Sequence, residues 1–245
     1  MSYISPNWPA PTRVKAYTTT RLGGSSGDVY GSMNLGLHVG DQCSQVFRNR
    51  SKLRSDLKLP SEPVWLAQVH SASVVNADLA TEFEFDGSFS TRADIVCAVM
   101  TADCLPLLLT NLAGDQVAAV HAGWRGMANG IIENAVAAFA CPVAEIIAWA
   151  GPCIGPTKFE VGTEVMAQLG GPDSAYKNPE DNIGHNDKVL ADLYQLCGHR
   201  LAAMGVTNYT HSNACTYLDE QDFFSYRRDG QCGRMASLIW IDSES

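Results

Sequence analysis

Two histidines and one cysteine, His70, Cys104 and His121, are the residues of this sequence whose types and positions best suit catalysis. Each lies at or just beyond the end of a predicted strand, beside small residues, and strand ends that are distant in sequence can meet at one cleft. Two imidazoles and one thiolate form a known catalytic zinc site, which leaves the fourth position to water or substrate. The same residues are equally consistent with two hydrogen-bonded histidines and a buried thiol.

The hydrophobic pattern predicts the elements that position these residues. Predicted strands cover residues 13–19, 64–70, 94–101, 105–110, 117–121, 145–150, 206–211, 223–228 and 234–241. Predicted helices cover residues 44–57, 163–169 and 188–204, and another runs from the turn at 123–126 to about 139. Polar or Gly-rich loops cover 23–40 and 170–187. The last two strands are predicted to form a hairpin around the turn Asp229-Gly230.

Strands and helices mix in this order without strict alternation. The order favours an α/β (α+β) fold with a mixed β-sheet sandwich flanked by helices, over a Rossmann or TIM-barrel architecture. The sequence contains no repeat and no obvious linker, so residues 1–245 are predicted to be a single domain.

Composition excludes several classes of function. The net charge of −9 provides no basic stripe for a nucleic acid. The most apolar run, residues 93–109, contains Asp94, Asp103 and Pro106, which a bilayer helix would not tolerate. The N-terminus has no signal-peptide pattern. We therefore expect a cytoplasmic protein that binds neither nucleic acid nor a membrane, and the sequence indicates no protein partner.

Eight cysteines are spaced irregularly and include no Cys-x-x-Cys pair. This spacing excludes zinc ribbons and thioredoxin-like motifs. A chain of 245 residues can bury a large core and does not need a disulfide framework. The thiols are therefore predicted to be unpaired and reduced.

Five ordered motifs resemble those of one bacterial family, known as multicopper polyphenol oxidase or laccase and also described as purine nucleoside phosphorylase with adenosine deaminase activity. In enterobacteria the family is described as a peptidoglycan-editing factor. The motifs are Gln68-Val-His-Ser, Thr101-Ala-Asp-Cys-Leu-Pro, Val120-His-Ala-Gly-Trp-Arg-Gly, Gly151-Pro-Cys-Ile-Gly-Pro and Phe223-Phe-Ser-Tyr-Arg-Arg-Asp-Gly. The upstream segment Asn34-Leu-Gly-Leu-His-Val-Gly-Asp is similar as well.

The resemblance implies that His70, Cys104 and His121 are metal ligands. It also implies a sandwich fold related to cytotoxic-necrotizing-factor-like cysteine hydrolases. The implied substrates are phosphate and a purine nucleoside, namely adenosine, inosine or methylthioadenosine. The polar loop at 170–187 carries no firm motif, so His185 inherits no role.

The laccase description can be tested by counting histidines. A multicopper oxidase needs many histidines, usually as His-x-His pairs, and this sequence has six histidines and no such pair. The oxidase chemistry of a multicopper cluster is therefore not expected. A single copper ion on the same three ligands is compatible with the sequence, because blue-copper sites use two histidines and one cysteine. Zinc is the expected metal, and copper is the alternative.

Phosphorolysis needs an anion site for phosphate, and arginine suits that role through its paired donors. The candidates are Arg48, Arg50, Arg125, Arg227, Arg228 and Arg234. Arg125 is preferred because it lies near a predicted helix N-terminus, where anions are favoured, and Arg227 is the second choice. Arg48 and Arg50 are interpreted as solvated surface residues. Asn34 lies in a loop that could close over substrate, although a simple loop turn explains it equally well.

Deamination would need a proton-shuttling carboxylate, for which Asp103 is the nearest candidate, although capping of its own turn explains Asp103 better. Two other interpretations stay open. In one, the protein is a cysteine hydrolase that cuts an amide of a muramyl precursor, with Cys104 as nucleophile and His121 or His70 as base. In the other, it is a metal-binding module without activity.

Overall fold

Two β-sheets pack face to face in the computed structural model, which describes residues 3–179 and 187–243. The strands are β1 (Tyr3–Ile4), β2 (Val14–Thr19), β3 (Val64–Trp65), β4 (Val74–Asn76), β5 (Gly87–Ser90), β6 (Cys97–Thr101), β7 (Leu105–Asn111), β8 (Val117–Ala122), β9 (Ile146–Ala150), β10 (Glu160–Gly162), β11 (Tyr176–Lys177), β12 (Lys188–Ala191), β13 (Asn208–His211) and β14 (Met235–Ile241). The helices are α1 (Cys43–Leu57), α2 (Trp124–Ala128), α3 (Ile131–Ala137), α4 (Thr163–Leu169), α5 (Leu193–Met204) and α6 (Tyr226–Asp229).

The two large sheets differ in strand order. One has five strands in the order β1-β2-β14-β6-β3, and the other has six in the order β13-β9-β7-β8-β5-β4. A third, smaller sheet has the order β10-β12-β11. Antiparallel pairs predominate, and parallel pairs join β3 to β6, β4 to β5 and β13 to β9. The fold is therefore a mixed α+β fold.

The core lies on both faces of each large sheet, because alternate side chains of a strand point to opposite sides. In β8, Val117 and Ala119 pack between the sheets with Ile239 of β14. Val120 of the same strand belongs instead to the cluster that contains the apolar residues of α3 and α5. On the outer face of the five-stranded sheet, Leu53 of α1 packs in a separate cluster. The predicted mixed-sheet sandwich flanked by helices is confirmed.

Two segments cross from one large sheet to the other at the end of the sandwich where β7 begins and β8 ends. Residues 66–73 connect β3 of the five-stranded sheet to β4 of the six-stranded sheet. Residues 102–104 connect β6 to β7 in the same way. Because Leu105 is the register partner of Ala122, the end of β8 lies beside the second crossover. This end of the sandwich therefore gathers all three candidate metal ligands.

The predicted terminal hairpin is wrong. Residues 226–229 form the short helix α6, in which the hydroxyl of Ser225 accepts a hydrogen bond from the backbone N–H of Arg228 at 3.2 Å. Strand β14 pairs with β2 on one side and β6 on the other, so no edge is left for a hairpin partner.

Several other boundaries differ from the prediction. The strand predicted at 64–70 is only Val64–Trp65, and the one predicted at 94–101 begins at Cys97. The helix predicted at 188–204 begins at Leu193, because residues 188–191 pair with β10 and β11 as β12. The helix predicted from 123–126 to about 139 is divided into α2 and α3 at Gly130, whose φ is 92°. The loop predicted at 170–187 contains β11, and residues 180–186 lie outside the described residues.

The strand predicted at 64–70 ends early because side chains replace its backbone pairing. The side-chain amide of Gln68 accepts from the backbone N–H of Met100 at 2.7 Å and donates to the carbonyl of Met100 at 2.8 Å. The amide thus satisfies the backbone N–H and carbonyl of Met100 in β6, which a neighbouring strand would otherwise pair with. The backbone beyond Gln68 is free to turn away, and His70 adopts a φ of +60°.

All eight cysteines are free thiols, as their spacing predicts. Four of them are buried, namely Cys97, Cys153, Cys197 and Cys232. Three more, Cys104, Cys141 and Cys215, are partly buried, and Cys43 is exposed. Among the described residues, no helix combines the length and apolar character needed to cross a bilayer.

Candidate metal centre

His70, Cys104 and His121 meet at the crossover end of the sandwich. One ligand atom from each lies within 4.8 Å of the others. The two imidazole rings have centroids 4.7 Å apart and are inclined by 69°. His121 is buried, whereas His70 and Cys104 are partly exposed, so the cluster opens toward solvent on one side. The predicted meeting of the three side chains is confirmed.

The turn that carries Cys104 requires an unusual backbone. Asp103 has a φ of +88°, in the left-handed region that L side chains rarely adopt. Its carboxylate accepts from the hydroxyl of Thr216 and from the backbone N–H of Arg227, each at 2.6 Å. Its carbonyl accepts from the N–H of Ile154 at 2.9 Å. These bonds hold the turn so that the Cys104 thiol faces the cluster.

Asp86 holds the two histidine segments together, and it is fully buried. Its Oδ1 contacts Nδ1 of His121 at 2.8 Å and accepts from the backbone N–H of His70 at 3.0 Å. Its Oδ2 accepts from the N–H of Val69 at 3.2 Å and from the N–H and hydroxyl of Ser71 at 2.6 and 2.8 Å. One carboxylate therefore fixes the left-handed turn at His70 and the ring of His121. Sequence analysis missed this residue.

Electrostatics distinguish the two histidines. Burial acts to lower the pKa of His121, but Cys104 and Asp86 outweigh it and raise this pKa to about 9. The pKa of His70 is lowered by burial and by His121, against the opposing effect of Asp86. Burial acts to raise the pKa of Asp86, but hydrogen bonds from His121 and Ser71 lower it to about 2. At neutral pH, the imidazole of His70 is thus uncharged and the carboxyl group of Asp86 is ionised.

The cluster fits a metal ion on three grounds. Nδ1 of His70 is buried and has no hydrogen-bond partner, which is costly unless something else satisfies it. A Cβ at Gly123 would lie 2.8 Å from this atom and 3.1 Å from Sγ of Cys104, so only glycine leaves the space free. The donor set of two imidazoles and one thiol suits zinc or copper. In the described part of the chain this is the single group of three or more such donors.

The two predicted phosphate-binding arginines, Arg227 and Arg125, differ in their surroundings. Arg227 touches Asp103 through its backbone, and its guanidinium donates to the carbonyl of Glu160 at 2.9 Å and lies over the ring of Phe159. Arg125 is exposed, and its guanidinium lies 4.3 Å from the centroid of the Trp124 ring. Substrate contacts of Arg125 and Arg227 and proton transfer by Asp103 stay predictions.

Asn34 and Arg50 are both buried. The Asn34 side chain is fully buried and bonds to both backbone groups of Gly36. It therefore fixes its loop, and a contact with substrate stays a prediction. The interpretation of Arg50 as a solvated surface residue is wrong, since only 8% of it is exposed. Arg48 is exposed as expected.

Replacing Asp86 with Asn should weaken metal binding by about 10- to 100-fold, the usual effect of losing a carboxylate behind a histidine ligand. The amide would present an N–H₂ group where Asp86 now accepts several bonds. Competition with a chromophoric chelator measures the zinc affinity. Asp78→Asn is the matched control, because Asp78 also accepts from a serine, Ser90, and from a backbone N–H but does not touch the cluster. Equal zinc affinity in wild type and Asp86→Asn would contradict the role of Asp86.

Comparison with known proteins shows which proteins the chain resembles. A family model described as multi-copper polyphenol oxidoreductase laccase matches residues 15–242. The purine nucleoside phosphorylase YfiH of Shigella flexneri is 48% identical over 240 residues, which cover 97% of this chain and 98% of that protein. A purine nucleoside phosphorylase of Haemophilus influenzae is 43% identical, covering 99% of this chain and 100% of that protein.

A solved structure supports the same relationship. The crystal structure of protein NMB0706 from Neisseria meningitidis aligns with a TM-score of 0.91 at 44% sequence identity. The alignment covers 99% of this chain and 100% of that protein. Fold and sequence therefore agree over nearly the whole length.

Proposed function

The chain belongs to the family described as multi-copper polyphenol oxidoreductase laccase, and we propose that it is a metal-dependent purine nucleoside phosphorylase. The observation that carries the proposal is the open cluster of His70, Cys104 and His121 in a chain whose relatives at 42–48% identity bear that enzyme name. We further propose that residues 1–245 form one domain and that the protein acts in the cytoplasm.

The proposed substrates are phosphate and adenosine, inosine or methylthioadenosine. A phosphate oxygen forms a bond to the anomeric carbon of the ribose as the bond from that carbon to the purine nitrogen breaks. The electron pair leaves with the base, which takes up a proton, and ribose 1-phosphate or its methylthio analogue is the second product. Such a reaction involves no oxidation and needs no copper cluster. The single group of donors in the described residues therefore fits it better than it fits the reaction of a multicopper oxidase.

His70, Cys104 and His121 would hold the metal, for which we propose zinc. When bound, zinc supplies a Lewis acid that polarises an oxygen of the substrate. Copper is the alternative because the same ligand trio suits it, and a single-copper oxidoreductase is the corresponding alternative activity. For metal to bind, His121 must release the proton that its raised pKa retains, since a ligating imidazole is neutral. Asp86 then keeps the ring of His121 oriented.

Phosphate and nucleoside would bind on the open side of the cluster, beside the partly exposed ring of His70. The exposed guanidinium of Arg125 is a candidate for the phosphate, because it rests on the face of Trp124 and forms no hydrogen bond with the described residues. Arg227 is the second phosphate candidate, and Asn34 would act through its loop. An adenosine deaminase side activity would use Asp103 to move protons, in competition with the two bonds that its carboxylate now accepts.

The proposal predicts phosphate-dependent products. Zinc-loaded protein incubated with inosine or adenosine should release free base together with ribose 1-phosphate when phosphate is present. Omitting phosphate should abolish release of the base. Chromatography of the base and of the sugar product measures both. Failure to release base from any purine nucleoside in the presence of phosphate would contradict the proposal, whereas appearance of inosine from adenosine would reveal the deaminase activity.

A second candidate function is favoured by one observation. Asp86, His121 and Cys104 form a continuous chain of contacts, in which the buried carboxylate orients the imidazole and the imidazole bonds to the thiol. Cysteine hydrolases use this order of acid, base and nucleophile. We therefore keep as the alternative a cysteine amidase that acts on a muramyl peptidoglycan precursor, in a fold of the cytotoxic-necrotizing-factor-like type. This alternative leaves the buried, unpartnered Nδ1 of His70 unexplained.

Substitution of Cys104 separates a ligand from a nucleophile. If the thiol binds metal, Cys104→Ala should lose zinc and turnover, and Cys104→Asp should recover part of the zinc, because a carboxylate also ligates zinc. Cys141→Ala removes a thiol outside the cluster and is the control. Metal content and turnover are measured on the same samples. Full activity of metal-free wild type, with both Cys104 variants inactive, would instead establish the nucleophile.

A further inference from the structure

Arg50 of helix α1 is a buried cation that forms no ion pair with a carboxylate of the described residues. Only 8% of the residue is exposed. Its Nε and Nη2 donate to the carbonyl of Leu35 at 3.0 and 2.8 Å, and its guanidinium carbon lies 4.0 Å from the centroid of the Trp65 ring. The side chain of Glu62 is nearby, but it accepts from Nε1 of Trp65 and forms no ion pair with Arg50. Buried charges are normally paired, so this one requires an explanation.

Two other basic side chains surround the same Leu35–Gly36 peptide. The backbone N–H of Leu35 donates to the carbonyl of Arg234 at 3.2 Å. A Cβ at Gly36 would lie 3.0 Å from Cγ of Arg234 and 3.4 Å from Cε1 of His38, so both side chains pack against the glycine. The pKa of His38 is lowered by burial and then by Arg234 and Arg50, as expected for neighbouring positive charges.

The buried amide of Asn34 holds this arrangement in place. Its Oδ1 accepts from the backbone N–H groups of Gly36 and Arg234, each at 2.9 Å. Its Nδ2 donates to the carboxylate of Asp41 at 2.9 Å. Among the described residues, the guanidinium of Arg234 donates hydrogen bonds from Nη1 to the backbone carbonyls of Cys232 and Gly233 and to the thiol of Cys232, and to no other group. Within the described residues, neither Arg50 nor Arg234 forms an ion pair, although the chain carries a net charge of −9.

The basic group lies beside the metal cluster. Nη2 of Arg50 is 3.9 Å from Sδ of Met100, whose backbone is bonded by Gln68, two residues before His70. Arg234 precedes Met235, which pairs with Thr101, so Arg234 lies next to the turn that carries Cys104. Its charge contributes to the lowered pKa of His70. The two arginines therefore border the segments that carry His70 and Cys104.

We propose that Arg50, Arg234 and His38 form the subsite for inorganic phosphate. Guanidinium groups bind a tetrahedral oxyanion through paired, charge-assisted hydrogen bonds, and burial strengthens such bonds by excluding water. An anion here would supply the counter-charge that Arg50 lacks. The proposal deepens the phosphorylase function and rests on it for the role of the phosphate. It assigns Asn34 to positioning the arginines, and it competes with a phosphate site built on Arg125.

Direct binding of inorganic phosphate tests the proposal independently of turnover. Calorimetry on the zinc-loaded protein should give a phosphate Kd that rises about tenfold or more in Arg234→Met and in Arg50→Met, since each removes charge-assisted bonds to the anion. His38→Asn should give a smaller rise. Arg48→Met is the matched control, because Arg48 is an exposed arginine on the same helix. Arg50→Lys retains the charge and should bind more tightly than Arg50→Met.

Circular dichroism shows which variants are folded, and Arg234→Met and His38→Asn keep the test decisive if Arg50→Met does not fold. Unchanged phosphate Kd in Arg234→Met and His38→Asn, or loss of binding only in Arg125→Met, would overturn the subsite. Absence of phosphate binding by wild type would also overturn it. Phosphate binding that depends on these residues, without release of base from nucleosides, would support the subsite while contradicting the phosphorylase proposal.

Discussion

One buried carboxylate, that of Asp86, is the constraint on which the candidate site depends. It joins the backbone around His70, which belongs to a crossover between the sheets, to the ring of His121 at the end of β8. A buried carboxylate is stable only when its oxygens are satisfied, and here both oxygens accept several bonds. The need to satisfy Asp86 therefore fixes the left-handed turn at His70, and with it the position of His70 relative to His121.

The sandwich explains why the site is at this end of the molecule. Chain segments that pass from one sheet to the other leave the regular backbone pairing, so side chains must hold them. Asp86 and Gln68 do this for the first crossover, and Asp103 does it for the second. Such segments can present functional side chains without disturbing the core. Among the described residues, the arrangement gives one group of three metal-binding side chains. Such a group suits a single metal ion and does not suit the copper clusters of a laccase.

The sequence was sufficient to predict that His70, Cys104 and His121 lie together, as well as the mixed sandwich and most long elements, because these depend on local pattern and on short motifs. Residues whose roles depend on distant partners were missed. In the segment 82–86, Asp86 and two glutamates alternate with two phenylalanines. This pattern is typical of a strand whose acidic face is solvated, so it does not indicate a buried carboxylate. Arg50 carries a charge on an amphipathic helix, yet it is buried by Trp65 and Leu35. The predicted hairpin was wrong because β2 and β6, both distant in sequence, occupy the edges of β14.

A zinc titration tests the central claim most directly. Chelator-treated protein is supplied with increasing zinc while formation of ribose 1-phosphate from inosine and phosphate is followed, and bound zinc is measured in parallel. The account predicts no turnover without zinc and a linear rise that ends at one equivalent per chain, with no such rise in His121→Ala. Full turnover of the metal-free protein, or a rise that continues in His121→Ala, would contradict a metal-dependent phosphorylase at this cluster.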